Sequence, residues 1–361
     1  MRVLHILNEL QPSGAEVMLV VAAPQWLARG YELHVLSTGA APGILGGRFA
    51  EAGFVVHHIP FEKSVAFFAS LRKLTVSIEP DVVHIHTERA NLPYALVSRA
   101  ARVGRTVRTI HSTFEFRGRL RLRRTVERFV LRRLKVIQVS IGNSVAETEF
   151  RVFRNRTKLI PNWYDTSHFR PPTQGERVEA RADLGIAESA TVVASIGNCA
   201  EVKNHHLLLR SLALLGELEL VYLHVGAEQT DRSERELAIE LALDRRVDFL
   251  GYQQDPLPYL WAADVFVMPS RHEGFSIAAL EAIATGLPAV LTNVRGLTDL
   301  EGLTPVVRLC EPDERSLAMS IVAASNDAVT TDHAQRVQFS RRVAERFGVE
   351  RAVRAYDAAY R

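Results

Sequence analysis

The chain has 361 residues, 44 Lys and Arg against 41 Asp and Glu for a formal charge of +3, and a 47% hydrophobic composition ordinary for a globular protein, so one core is too small for it and two domains of about 150 to 200 residues are expected. Two cysteines, Cys199 and Cys310, are too few for a disulfide framework and too far apart for a Cys-x-x-Cys metal or redox pair, which points to a reducing, cytoplasmic location. "MRVLHILNEL" is too short and interrupted for a signal peptide, and no run approaches the ~18 apolar residues of a membrane-spanning helix.

Taken in order, "RVLHILNEL" reads as a strand, "AEVMLVVAAPQWLARG" as a helix, and "ELHVLST" and "DVVHIHT" as strands. A helical "LPYALVSRAARVG", a strand-like "TVRTIHS", a basic helix and the strand "KVIQVSIGN" follow. The second half repeats that grammar with "TVVASIGN", the helical "HHLLLRSLALLG", then "ELVYLHVGAE", "RVDFLGY", "ADVFVMPS" and "LPAVLTNV". Repeated strand, helix, strand units predict α/β architecture, with two doubly wound Rossmann-like domains, each a parallel sheet covered on both faces. The Pro-rich, polar "IPNWYDTSHFRPPTQGE" reads as their connection. Domains at 1–165 and 166–340 are expected, with a C-terminal helical segment, 341–361, broken near Gly348 and packing back toward the first domain.

The small net charge conceals an asymmetry. Residues 1–165 hold 24 Lys and Arg against 13 Asp and Glu, and the remainder 20 against 28. Much of the excess lies in Arg117 to Lys135, "RGRLRLRRTVERFVLRRLK". There Leu122, Val126, Phe129, Val130 and Leu134 recur at helical spacing, while Arg121, Arg123, Arg124, Arg128, Arg132 and Lys135 take other faces. One reading is a helix packed on its domain with a solvated arginine face; the other is a basic surface that meets anionic lipid at the inner face of the membrane. Nucleic acid is not expected, because no aromatic residues interleave with the arginines.

Ligands of such sheets sit beyond the carboxyl ends of the strands. Neither half carries G-x-G-x-x-G after its first strand or a G-x-x-x-x-G-K-[ST] loop, which disfavours a dehydrogenase and a P-loop NTPase. The informative stretch is "SRHEGFSIAALEAIATGLP", Ser270 to Pro288, with Glu273 before a helix and Glu281 inside it. Eight residues of helix rise about 12 Å, more than the roughly 5 to 9.5 Å of a glycosidase pair. Two such acids could instead hold the ends of one elongated ligand. Between them Gly274, Phe275 and Ser276 place backbone N–H groups at a helix start, where a phosphate is favoured. Hydroxyls at both ends and phosphates between describe a nucleotide sugar. On spacing alone, Glu281 as an exposed helix residue and Glu273 as an ordinary first-turn acid stay open.

"PSRHEGFSIAALEAIATGLPAV" resembles the E-x7-E signature of family-4 retaining glycosyltransferases of the GT-B fold. "SIGNCAEVKNHHLLLRSLALL" looks like that family's donor-phosphate loop, and "VDFLGYQQDPLPYLWAADVFVMPS" its base-pocket segment. In the first half "PSGAE" resembles its glycine-rich loop, "DVVHIHT" and "TIHS" its histidine-bearing strand ends, and "IPNWYDTSHFRP" its domain connection. The resemblance implies two domains facing a cleft. It also implies transfer of a sugar from a nucleotide diphosphate sugar to an acceptor hydroxyl, with retention and without a metal or other cofactor. Glu273 would contact the donor sugar, Glu281 the ribose, and Lys203 with Asn204 the diphosphate. Gly14 would let backbone approach the phosphates, and His111 would face the donor sugar and support charge at the reacting centre. Where the family usually has an arginine beside the lysine, this chain has Asn198, leaving Arg271 or Arg295 as substitute charges.

The acceptor is expected to be a saccharide or a lipid-linked saccharide of cell-surface polysaccharide or glycolipid synthesis. Two alternatives share the scaffold: a nucleotide-sugar epimerase and a non-catalytic partner subunit. A third, a metallohydrolase, would use His84 and His86 with Glu88 and His111, but such a site needs further ligands around one barrel. His84, His57 and His58 otherwise read as packed strand residues.

Overall fold

The computed structural model of the protein describes residues 1–216 and 219–361. The chain forms two compact units, Met1–Trp163 with Val349–Arg361, and Tyr164–Gly348. The crossings therefore fall at 163/164 and 348/349, where the sequence suggested 165/166 and 340/341.

The first unit runs β1 (Arg2–Leu7), α1 (Gly14–Ala28), β2 (Glu32–Ser37), α2 (Gly46–Glu51), β3 (Phe54–His58), α3 (Val65–Ile78), β4 (Val82–Ile85), α4 (Asn91–Ala100), β5 (Arg105–Ile110), α5 (Gly118–Arg133), β6 (Ile137–Ser140), α6 (Asn143–Phe153) and β7 (Lys158–Leu159). All its strand pairs are parallel, in the order β3-β2-β1-β4-β5-β6-β7.

The second unit runs α7 (Gln174–Asp183), β8 (Thr191–Ile196), α8 (His205–Ala213), β9 (Leu220–Val225), α9 (Ser233–Glu240), β10 (Val247–Phe249), α10 (Leu257–Ala262), β11 (Val265–Met268), α11 (Ile277–Ala284), β12 (Ala289–Thr292), β13 (Val307–Cys310), α12 (Glu314–Thr330) and α13 (His333–Phe347). Its parallel order is β10-β9-β8-β11-β12-β13. Last comes α14 (Val349–Tyr360), which belongs to the first unit and packs on α1 and β5. Gly348 adopts extended backbone between α13 and α14 and marks the expected break.

The central strands are continuous apolar runs because helices cover both faces. Val3, Leu4, Ile6 and Leu7 of β1, all of β4 and β11, and all of β12 are buried. Local signals agree with the helix starts. Thr173 and Glu176 form a reciprocal capping box on α7, and Asp332 with Gln335 does the same on α13. Trp163 and Tyr164 are packed inside their own units. The Trp163 indole N–H donates to the Met18 carbonyl at 2.9 Å, and Tyr164 bridges to Gly348. Among the described residues no helix is long and apolar enough to cross a membrane.

The basic helix corrects the sequence reading. Its inward residues are Arg128 and Leu131, with Arg124 partly buried, whereas Leu122, Val126 and Phe129 are 67%, 52% and 46% exposed. Charge compensation causes the reversal. Glu149 of α6 is buried and takes two hydrogen bonds at 2.7 Å from Arg128, through Nε and Nη2. Glu88 receives Arg128 Nη1 at 3.3 Å and pairs with the buried Arg108. Gln138 and Asn155 complete the network. Leaving a carboxylate unpaired inside the unit would cost more than exposing three apolar side chains. Arg128→Met is therefore expected to lower stability by about 3 to 5 kcal/mol in urea unfolding, while Arg119→Ala, on the exposed side, changes it by less than about 0.5 kcal/mol. Equal, small effects would contradict the network.

Candidate functional site

In the second unit the strand order reverses between β8 and β11, the point where open parallel sheets receive ligands at their carboxyl ends. The loop after β8 carries Gly197, Asn198, Lys203 and Asn204; the segment after β11 carries Ser270, Glu273 and Gly274 to Ser276. An ion pair joins them, with Lys203 Nζ 2.7 Å from Glu273 Oε1. The pair is partly buried, at 26% and 12% side-chain exposure, so its charges are weakly screened. Asn204 ties the same loops again by donating Nδ2–H to the Pro269 carbonyl at 3.2 Å. Its left-handed backbone (φ 55°) at the start of α8 is one that asparagine tolerates.

Two features missed in the sequence hold Glu273. Ser270, fully buried, donates its hydroxyl to Glu273 Oε1 at 2.8 Å, and the Glu273 amide donates to the Arg295 carbonyl at 3.3 Å. The latter contact needs Gly296 beside it: at φ +86° a Cβ there would lie 2.4 Å from the Glu273 carbonyl oxygen. A lone glycine after β12 was its only sequence signal. Asn198 serves structure, since its Oδ1 accepts the Ala227 amide at 2.9 Å. That loop runs so close to its neighbour that a Cβ on Gly226 would meet the Gly197 carbonyl at 2.1 Å.

Gly274, Phe275 and Ser276 are buried, yet among the described residues their backbone N–H groups have no hydrogen-bond partner. The Ser276 hydroxyl caps α11 by accepting the Ala279 amide at 3.2 Å, and the Phe275 ring packs on Phe347. One ammonium offers three donors. With one taken by Glu273, Lys203 and this run of amides can receive an anion. Arg271 is more exposed and pairs with Glu201 at 3.3 Å.

Glu281 lies one helical stretch further, buried in α11 at 8% exposure, and its carboxyl has no hydrogen-bond or ion-pair partner among the described residues. It is therefore not an exposed helix residue. Burial raises its pKa to about 8, with Asp255 and Asp165 adding repulsion. A carboxyl that costs this much to ionise is a candidate for ligand contact.

In the first unit the order reverses between β1 and β4. Gly14 opens α1, flanked by Ser13, whose hydroxyl donates to the buried Glu16 carboxyl. Burial pushes the Glu16 pKa upward. His111 follows β5, half-buried, with Nε2 3.1 Å from His86 Nδ1, and burial followed by the Arg108 charge lowers its pKa to about 4. His5, His84 and His86 bring ring nitrogens within 4.8 Å of one another. Both nitrogens of His84 are engaged, at 2.7 Å each, by the hydroxyls of Tyr360 and Thr109, so the trio does not turn three free lone pairs on one ion. His84 is the packed strand residue its sequence context suggested, and His57 stacks on His34.

Residues 12–168 match the model of Glycosyltransferase Family 4, and residues 176–341 that of Glycosyl transferases group 1. The chain belongs to the family-4 glycosyltransferases of the GT-B fold. This glycosyltransferase is related to enzymes of polysaccharide biosynthesis. The capsular polysaccharide biosynthesis glycosyltransferase CapH of Staphylococcus aureus is 24% identical over 310 residues, 81% of this chain and 82% of its own. The UDP-Gal:alpha-D-GlcNAc-diphosphoundecaprenol alpha-1,3-galactosyltransferase of Escherichia coli is 27% identical over 254 residues, 66% of this chain and 64% of its own. Among solved structures, Anabaena Alr3699/HepE in complex with UDP-glucose has a TM-score of 0.81 at 20% identity, covering 99% of this chain and 100% of that one.

Glu281 gives the glycosyltransferase a pH signature. Unfolded, a glutamate titrates near 4.5; here it titrates near 8. Between those values the folded chain keeps a proton that the unfolded chain has released, so this group's contribution is fully present below pH 4.5 and falls as pH rises to about 8. Glu281→Gln cannot ionise. Its melting temperature is expected to exceed the parent's at about pH 8.5 and to converge with it near pH 4.5, at roughly 1.4 kcal/mol per pKa unit. Parallel melting curves across that range would contradict the buried, proton-holding carboxyl.

Proposed function

We propose that the enzyme transfers a glycosyl unit from a nucleoside diphosphate sugar to an acceptor hydroxyl, with retention at the anomeric carbon. The observation that carries this reading is the Lys203–Glu273 pair beside the unpartnered amides of Gly274 to Ser276, at the reversal of the second sheet. As the glycosidic bond breaks, the departing diphosphate gains negative charge. An ammonium and fixed N–H groups stabilise that charge without reorganising. Glu273 lies beside them to orient the sugar, and Glu281 to receive ribose hydroxyls. Gly14 and His111 are the first unit's proposed contributions to the phosphates and the sugar. In this scheme the acceptor attacks from the side the diphosphate leaves, and a leaving phosphate oxygen takes the acceptor's proton. No enzymic nucleophile and no metal is invoked. Asn198 adds no charge, so Lys203 bears the larger share of the diphosphate.

The proposed acceptor is a saccharide on a lipid carrier, in keeping with the lipid-linked acceptor named for the Escherichia coli relative. The outward face of α5 supports it. There Leu122, Val126 and Phe129 stand exposed among Arg119, Arg121, Arg132 and Arg133, with Arg132 and Arg133 over the Phe129 ring. Apolar side chains within a basic rim suit an anionic bilayer surface. Arg124 and Arg128 belong to the buried network and are excluded from that surface.

A panel of nucleoside diphosphate sugars tests the donor. At 100 times its dissociation constant, a true donor stabilises the fold by about 2.7 kcal/mol. Lys203→Ala and Glu281→Ala are expected to abolish most of that shift. Glu273→Gln is expected to lower turnover by about 10²-fold, the scale seen when one preorganised stabilising group is lost. No shift with any donor, or full turnover in Glu273→Gln, would refute the assignment. For the membrane face, sedimentation with anionic vesicles should retain the protein and neutral vesicles should not, and Arg119→Glu with Arg132→Glu and Arg133→Glu should release it. Equal sedimentation with both vesicle types would exclude that surface.

A further inference from the structure

Three imidazole rings of the first unit form a continuous line. His5 lies in β1, His86 follows β4 and His111 follows β5, on strands adjacent in the sheet. His5 Nδ1 is 3.0 Å from His86 Nε2, and His86 Nδ1 is 3.1 Å from His111 Nε2. Successive rings are stacked at 5.3 Å between centroids, tilted by 25° and 29°. At the inner end His5 is fully buried among Trp26, Phe54 and His84, and its Nε2 has no partner among the described residues. His84 cannot supply one, because hydroxyls occupy both of its ring nitrogens. At the outer end His111 is half-buried, with Nδ1 unpartnered among the described residues and not among the enclosed atoms.

Burial keeps all three rings neutral: it lowers His5 to about 3 and His86 well below its usual value, and His111 to about 4 with help from the Arg108 charge. A neutral imidazole has one N–H and one bare nitrogen. Each contact needs one of each, and His86 spends both of its nitrogens, so only two arrangements satisfy the line. In the first, His5 donates from Nδ1 to His86, and His86 donates from Nδ1 to His111. His111 then accepts at Nε2 and carries its own hydrogen on Nδ1. In the second, every N–H points inward, and the last one, on His5 Nε2, is stranded among aromatic rings. Orphaned buried N–H groups are rarer in protein backbones than under-satisfied acceptors, and the same preference applied to His5 leaves a bare nitrogen, not an N–H, inside. The outward arrangement therefore wins.

We infer that His5 and His86 are positioning residues that fix His111 as its Nδ1–H tautomer, so that His111 offers a bound ligand a hydrogen-bond donor and cannot act as a base. The inference rests on the reading of His111 as a donor-sugar residue only for its consequence in catalysis. Its consequence is definite: Nδ1–H can donate to a sugar hydroxyl or to an oxygen gaining negative charge, while Nε2 is already occupied by His86.

Ring-nitrogen correlation spectra of the full chain labelled with [15N]histidine, recorded without any ligand and assigned through His5→Gln, His86→Gln and His111→Gln, test it. The expected spectrum shows the hydrogen on Nδ1 of both His86 and His111; a hydrogen on Nε2 of His111 overturns the inference. In folded His5→Leu the line loses its first donor, so His111 should populate both tautomers and turnover should fall roughly twofold, in proportion to the lost Nδ1–H fraction, with the donor KM nearly unchanged. A His111 signal unaltered in that variant also overturns it. Should His5→Leu not fold, the spectrum of the unmodified chain decides alone. That spectrum needs no sugar donor, so the tautomer is established or refuted independently of whether transfer is found.

Discussion

The ammonium of Lys203 lies 2.7 Å from the Glu273 carboxylate, and this pair joins the loop that leaves β8 to the segment that leaves β11. Those loops meet because β8 and β11 are adjacent in the sheet, at the point where its order reverses and open parallel sheets receive ligands. The surrounding contacts hold the pair still. Ser270 and the Arg295 carbonyl hold Glu273, Asn204 holds the Lys203 loop to Pro269, and Gly296 makes room for the Glu273 backbone. A partly buried charge pair fixed from several sides presents charge to a ligand with little reorganisation.

Buried polarity is treated in two ways. In the first, charge is neutralised internally: Arg128, Arg108, Glu88 and Glu149 satisfy one another, and the histidine line shares hydrogens among neutral rings. In the second, Glu281 and the amides of Gly274 to Ser276 are buried without partners among the described residues. Buried polar groups left unsatisfied carry a cost that stability alone does not justify. The first set holds its unit rigid; the second is the set we propose for ligand binding.

Much of this was legible in the chain. Central strands read clearly because both faces are covered and their apolar runs are continuous, as in "DVVHI" and "ADVFVM". Two edge strands did not: in Phe54–His58 only Phe54 is buried, and Val307–Cys310 is only partly covered. The phase of α5 failed for a different reason. Helical periodicity assumes that apolar side chains turn inward, whereas Arg128 turns inward to meet Glu149 from another helix. No local pattern encodes a partner 21 residues away. The sequence singled out Lys203 and Glu273, which the structure pairs, and Glu281, which it buries; the residues that hold Glu273, Ser270 through its hydroxyl and Gly296 through a close backbone approach, carry no such signal.

The most direct measurement is a crystal structure of the enzyme with a nucleoside diphosphate. The account predicts a phosphate oxygen within about 3 Å of Lys203 Nζ and of the Gly274 to Ser276 amides, with the ribose hydroxyls on the Glu281 carboxyl. A diphosphate seated away from β8 and β11, with Glu281 still untouched, would contradict it.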